Sequence, residues 1–391
     1  MSIPLGPGMS DGTGPQIVRT ADDQVLLFGY KMATGFIYVY RAQGLPNTSA
    51  DFSTLATLTL PNGSVTTLNT LYDGDGYVYM PVLTTNGTVL VYVFDLAVGS
   101  FKAPLTLATN ARSILGNTLY AGTVGLSSAL DQFGTLQLAF WTNADRIAHC
   151  AVTVNAAQNT ASTCTQTLVD SAGSANHPNV AVSPVDNSVT VAWISEAGTY
   201  AILTRRRAAD GTWNAITQAS TSEPFHNRAS GGNEVNVDQG PHVIIDSANV
   251  RHLVYAQHFD STGDYGRIHY VVDTGSGWQD TALANYSHVP TLAFGRSGEL
   301  IILGHGSNRN GASSSECLTN LNFCYMARST SGVWGSMQPI AVATGAQSFD
   351  GNSSVKWSVV GWNRPEVVEF AFFSILNGDY FVPTLHYGRL P

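Results

Sequence analysis

Seven consecutive copies of a segment of roughly fifty to sixty residues fill this chain, and nothing else in it restricts the fold as strongly. Each copy is an apolar strand, a turn of Asp, Gly, Asn and Ser, a second apolar strand, a polar loop, a third strand and usually an aromatic-led fourth. The clearest copies begin at His177 (HPNVAVSPVDNSVTVAWIS), Pro241 (PHVIIDSANVRHLVYAQ) and His288 (HVPTLAFGRSGELIILGHG); fainter ones begin near Pro15, Leu68, Leu126 and Val355. Units of this length built from four short strands bury their faces against one another. The repeat therefore predicts an all-β fold, a seven-bladed β-propeller of four-stranded antiparallel blades. Residues 1–391 then form a single domain, although length alone would allow two or three.

The seventh copy offers SSVKWSVVG, PEVVEFAFFSI and DYFVPTLHYG, and it lacks an outermost strand. SIPLGPG at the N-terminus resembles SMQPIAVA, the fourth-strand segment of the sixth copy. An N-terminal strand near residues 3–5 is expected to complete the last blade and close the ring, which removes exposed sheet edges.

Charged residues make up 12% of the chain and Gly numbers 38, which suits short strands joined by tight turns. The net charge is −9 and the basic tract is confined to Arg205-Arg206-Arg207, so a nucleic-acid backbone is not an expected partner. No apolar run is long enough to span a bilayer. MSIPLGPGMSDGTG lacks the basic and apolar regions of a signal peptide, and reads as the start of a mature or trimmed form. The four Cys fall in two close pairs, Cys150 with Cys164 and Cys317 with Cys324. Two local disulfides in an oxidising compartment fit that pattern, with four reduced buried thiols as the alternative. Zinc is disfavoured because no C-x-x-C is present. The expected location is secreted or cell surface, and the expected state is monomeric.

Tyr72-DGDG-Tyr77 superficially resembles a calcium loop. The same position recurs as ADDQ, DQFG, VDNS, DSAN and RSGE, which marks a plain hairpin turn. No metal or cofactor is expected.

In a propeller the starting ends of the first strands and the loops between second and third strands share one rim. The fourth to sixth copies are rich there. His177 and His288 enter first strands. The connector 220–239 carries Arg228, Asn233 and Glu234; loop 256–266 carries His258; loop 304–322 carries His305 and Arg309. Long polar loops on a rigid scaffold are where sites concentrate. Arg228, Asn233, Glu234, His258, His288, His305 and Arg309 are therefore candidate substrate-binding residues. His149, His252, His269 and His386 lie within strands and read as structural; His242 is ambiguous.

ADGTW, DTGSGW and STSGVW, before three of the aromatic-led strands, resemble degenerate Asp-box turns of sialidase-like (BNR-repeat) propellers. That resemblance implies the fold and a turn aromatic buried between blades. It does not extend to a sialidase site, because Arg19 lies at the far end of its strand. The stretch LVYAQHFDSTGDYGRIHYVVDTGSGW (253–278) is similar to a strand–loop–strand–Trp segment of the propeller polysaccharide lyases of ulvan type, which cleave uronate-containing glycans. It departs from them at Ala256-Gln257-His258, where those enzymes carry a Tyr-Arg pair. The resemblance implies three catalytic residues: Tyr255 as acid, Arg267 as carboxylate partner, and His177 from the preceding blade as base. The chemistry implied is β-elimination. The expected function is thus that of an extracellular glycan-directed propeller, with a lyase activity on an acidic polysaccharide. The alternative is a non-catalytic carbohydrate- or protein-binding adhesion module or scaffold, whose partner is a glycan or a surface protein.

Overall fold

A computed structural model describes residues 2–7, 15–31, 35–60, 65–112, 125–170, 172–224, 240–257, 266–286, 290–295, 298–305, 323–329, 331–340, 359–360, 368–374 and 384–390. These residues form seven antiparallel sheets, each a blade of a β-propeller. Alternating and continuous runs of Val, Ile, Leu, Tyr and Phe make the strands, since β-branched and aromatic side chains pack well on a pleated surface. Blade one, for example, runs Gln16–Arg19, Gln24–Lys31, Phe36–Gln43 and Ser53–Thr59 from channel to periphery. In blades two and three the outer edge is split, and in blade two the inner strand is split as well. Blades four and six have outer strands of only two residues, Thr217–Gln218 and Gln338–Pro339.

The last blade is completed as the repeat predicts. Ser2–Pro7 pairs with Thr384–Leu390, placing Ile3 opposite Tyr387. Ile3 is buried in a cluster with Ile17, Val25, Leu385 and Tyr387, drawn from the first and last blades.

Asp and Ser pin the inner hairpin turns. Asp73 Oδ1 accepts the backbone N–H of Asp75 and Tyr77, Asp131 Oδ1 those of Phe133 and Thr135, and Asp246 Oδ1 those of Ala248 and Val250. The DGDG segment is one of these turns. Two residues of the basic tract are equally structural: Arg205 binds the carbonyls of Asn214 and Val169, and Arg206 binds Asp186 and Ser188.

Neighbouring blades are joined in two ways. Along the channel, a polar group on one inner strand bonds the backbone of the next. Val180 N–H donates to Ser127 Oγ (3.1 Å), Val243 N–H to Asn179 Oδ1 (2.9 Å) and Leu292 N–H to His242 Nδ1 (3.1 Å). His242 is thereby accounted for, with Nδ1 as the acceptor nitrogen. Nearer the periphery, the aromatic that opens a fourth strand reaches back to the preceding blade. Phe101 meets Phe28 and Phe52 meets Tyr387; Trp213 meets His149 and Trp334 meets Tyr270; Trp278 Nε1 donates to Thr204 Oγ1 at 2.9 Å. Buried aromatics contribute to a core through both area and edge-to-face geometry.

Cys150 and Cys164 form a disulfide across blade three. Cys164 lies between the two short outer segments rather than on a strand. Cys324 is also disulfide-bonded, while Cys317 lies outside the described residues. No described helix is long and apolar enough to cross a membrane.

Candidate functional site

The described candidates lie on three successive blades: His177 on blade four, Tyr255 and Arg267 on blade five, and His305 on blade six. His177 sits on the inner strand of blade four, Ala175–Val182. The strand carries a bulge there: Asn176 pairs with Ile194, but Asn179 pairs with Ala192, so one extra residue is accommodated. A bulge re-aims the side chain it contains. His177 adopts a left-handed φ of 52° immediately before Pro178, and it is 6% exposed. Non-glycine residues rarely take this conformation, and such strain concentrates at functional sites. Asn176 Oδ1 lies 2.6 Å from His177 Nδ1, and Asn176 Nδ2 donates to Glu196 Oε1 at 2.6 Å.

Blade four differs here from blades three and five. Ser127, Asn179 and His242 occupy equivalent places, each receiving the next strand's N–H. Two residues before each stand Gly125, His177 and Gly240. A Cβ at Gly240 would lie 2.8 Å from His177 Cβ and 3.4 Å from its ring carbon Cδ2. The glycine of blade five therefore leaves the space that the histidine of blade four fills.

Tyr255 lies one strand further out, on Arg251–Ala256 of blade five, and is fully buried. Its ring stacks on His269, with centroids 4.7 Å apart. Its hydroxyl donates to Asp280 Oδ2 at 2.6 Å and accepts Ser222 N–H at 3.3 Å. Burial, reinforced by the Asp280 charge, raises the phenol above its ordinary range. Asp280 also accepts Thr221 N–H and Oγ1–H, and its Oδ1 lies 2.8 Å from His269 Nδ1. Burial favours the neutral carboxyl, but the hydrogen bonds from His269, Tyr255 and Thr221 outweigh it and hold Asp280 below its ordinary value. His269 Nε2 lies 2.9 Å from Gln257 Oε1. Pro224 bridges to Gln257. The start of the connector to blade five is thus bound to that blade by Asp280, Tyr255 and Gln257.

Arg267 opens the third strand of blade five, half-buried, and its carbonyl accepts Gln257 N–H. His305 ends the second strand of blade six, opposite Phe323. Arg228, Asn233, Glu234, His258, His288 and Arg309 lie outside the described residues. Sequence reading missed Asn176, Glu196 and Asp280. Asn176 and Glu196 come together because Ala175 pairs with Ser195, and the only available signal was that both flank strand ends at the rim. Asp280 lies within the outer strand Trp278–Tyr286, where no motif in the sequence marks it.

No protein-family model matches this chain, and no curated protein matches it. Solved structures do. The BP39L lectin from Burkholderia pseudomallei is similar over 97% of this chain and 96% of its own, with 9% identity and a TM-score of 0.66. The polysaccharide lyase Uly1 is similar over 97% and 90%, with 10% identity and a TM-score of 0.55. AofleA from Arthrobotrys oligospora is similar over 88% and 90%, with 12% identity and a TM-score of 0.51. At these identities the likeness is one of fold: this chain is a seven-bladed β-propeller.

Proposed function

We propose that this chain is a single-domain, extracellular propeller that recognises an acidic glycan at one site, on the rim at blades four and five. The observation that carries this reading is His177, strained, bulged and set against Gly240 at a place where blades three and five have glycine. A multivalent lectin propeller would repeat its binding residues from blade to blade. The shared fold with a lectin and with a polysaccharide lyase supports glycan recognition, and the Cys150–Cys164 disulfide supports a secreted or surface location. Arg267, and in the neighbouring loop sequences Arg228, Asn233, Glu234, His258, His288, His305 and Arg309, are the proposed substrate-binding groups.

His177 favours a second, more specific reading, cleavage by β-elimination. Its ring removes the proton alpha to a uronate carboxyl, the electron pair forms the new carbon–carbon double bond, and the bond to the leaving oxygen breaks. The same ring returns the proton to that oxygen, while Arg267 neutralises the carboxylate. We assign Tyr255 to holding the connector rather than to proton transfer, since its proton is given to Asp280.

The test is a panel of neutral and acidic polysaccharides, assayed for binding and for the ultraviolet absorbance of an unsaturated uronate. Binding to an acidic glycan that weakens at least tenfold in His177→Ala, with unchanged melting, is the expected result. Binding unaffected by both His177→Ala and Arg267→Ala, or no glycan bound at all, would sink the proposal.

A further inference from the structure

We infer that Asn176 and Glu196 are positioning residues that fix His177 in one tautomer, with its proton on Nδ1 and its lone pair on Nε2. The inference rests on the reading of His177 as a base. It follows from counting donors and acceptors along the row Glu196–Asn176–His177.

A carboxylate only accepts hydrogen bonds. Glu196 Oε1, 2.6 Å from the Asn176 amide, therefore requires the NH2 end of that amide. The carbonyl end must then face the other way, and it lies 2.6 Å from His177 Nδ1. A carbonyl also only accepts, so Nδ1 carries the hydrogen. In the neutral ring the second nitrogen, Nε2, is then the basic one. Reversing the amide would set oxygen against oxygen at Glu196. One carboxylate thus decides, through an amide, which nitrogen of the imidazole is basic.

The backbone makes the row rigid. Asn176 pairs with Ile194 across the sheet, and Glu196 N–H donates to Ser174 O at 2.7 Å. Both ends of the amide are therefore held by the same pair of strands. Asn176 and His177 are both buried, which strengthens their hydrogen bond and excludes competing water. The bulge and the left-handed φ at His177 fix the ring's position from the other side. The amide moves no proton; it passes orientation from Glu196 to the ring. When Nε2 takes a proton, the Nδ1–H bond to Asn176 survives and the Glu196 charge lies one amide away from the new cation.

The test is the ring-nitrogen spectrum of the intact chain, labelled with 15N-histidine, with the His177 signals assigned by their loss in His177→Gln. Wild type should show at neutral pH one nitrogen of N–H type at Nδ1 and one of lone-pair type at Nε2. In Glu196→Gln the partner offers both a donor and an acceptor, the amide is no longer constrained, and the two His177 nitrogens should move toward averaged shifts. Wild-type signals that are already averaged, or a proton on Nε2, would overturn the inference, and this outcome does not depend on Glu196→Gln folding. Unchanged shifts in Glu196→Gln would overturn it as well. If the shifts behave as expected but no glycan is cleaved, the positioning role stands and the base reading of His177 falls.

Discussion

Arg19 of the first blade grips Glu369 of the last with both prongs of its guanidinium, across 350 residues of sequence. Nε lies 2.5 Å from Oε2 and Nη2 pairs with Oε1. Both side chains are 1% exposed, and Tyr387 OH donates to the same carboxylate at 2.5 Å. Removing one member of a buried pair costs roughly 3–5 kcal/mol when the other charge is left alone; Arg19 keeps Asp23, 2.7 Å from Nη1, so the low end of that range applies on loss of Glu369. Glu369→Gln should lower the unfolding free energy by that order in a denaturant titration. Because a buried pair can be replaced by packed apolar groups, Arg19→Met with Glu369→Leu should recover most of the loss. If the double variant is as unstable as the single one, the unpaired charge is not the cause.

The N-terminal strand closes the same seam. Deleting residues 1–8 strips the outer edge from Thr384–Leu390 and exposes the apolar cluster around Ile3. The melting temperature should fall by several degrees. An unchanged value would show that the closing strand adds no stability.

Acid should destabilise the fold well above the carboxylate range. Burial lowers the imidazole pKa of His149 to about 3 and that of His386 to about 4. Both folded values lie below the ordinary value near 6.5. Above about pH 6.5 both rings are neutral whether folded or not, and stability is full. As the pH falls from about 6.5 toward about 4, the unfolded chain takes up protons that the folded chain refuses, so stability is lost. Each ring contributes at most about 1.4 kcal/mol per pH unit. Denaturation midpoints at pH 7, 6 and 5 should decline, and the decline should be shallower in His149→Gln. An equal slope in wild type and variant would assign the acid sensitivity to other groups.

Gly240→Ala tests the site without touching a polar group. The added methyl would sit 2.8 Å from His177 Cβ, closer than real Cβ contacts allow, so the histidine or the inner strand of blade five must move. Affinity for the glycan should drop about tenfold, equivalent to about 1.4 kcal/mol, with little change in melting temperature. Full affinity would place the binding surface elsewhere.

Most of the architecture was legible because it repeats. The turn residues at Asp73, Asp131 and Asp246, the aromatics Trp213, Trp278 and Trp334, and the fit of Ser2–Pro7 to the last blade are all local patterns. The Cys150–Cys164 pairing was legible for the same reason, the two residues lying in one blade. What escaped depends on contacts between distant segments. Nothing in IVRTADD shows that Arg19 meets Glu369, and nothing near Trp278 shows that Asp280 receives the hydroxyl of Tyr255. The resemblance to propeller lyases implied Tyr255 as a catalytic acid; in the structure it is buried, with its ring stacked on His269. Strand order put His177 on the inner strand of blade four, where it lies, but its bulge and its amide partner follow from pairing that no spacing reveals.

The five fourth-strand aromatics each reach back among the described residues: Trp334 to blade five, Trp278 to blade four, Trp213 to blade three, Phe101 to blade one, and Phe52 to blade seven. For a chain emerging N-terminus first, four of these aromatics find their partner already made. Phe52 alone must wait for Tyr387, near the far end of the chain. During synthesis the ring should therefore assemble in order, with blades added in sequence and the packing of the first blade finished last. Limited proteolysis of chains stalled during synthesis should find the segment around Phe28 and Phe101 protected before Tyr387 has emerged, and that around Phe52 only afterwards; protection of both at the same length would contradict that order.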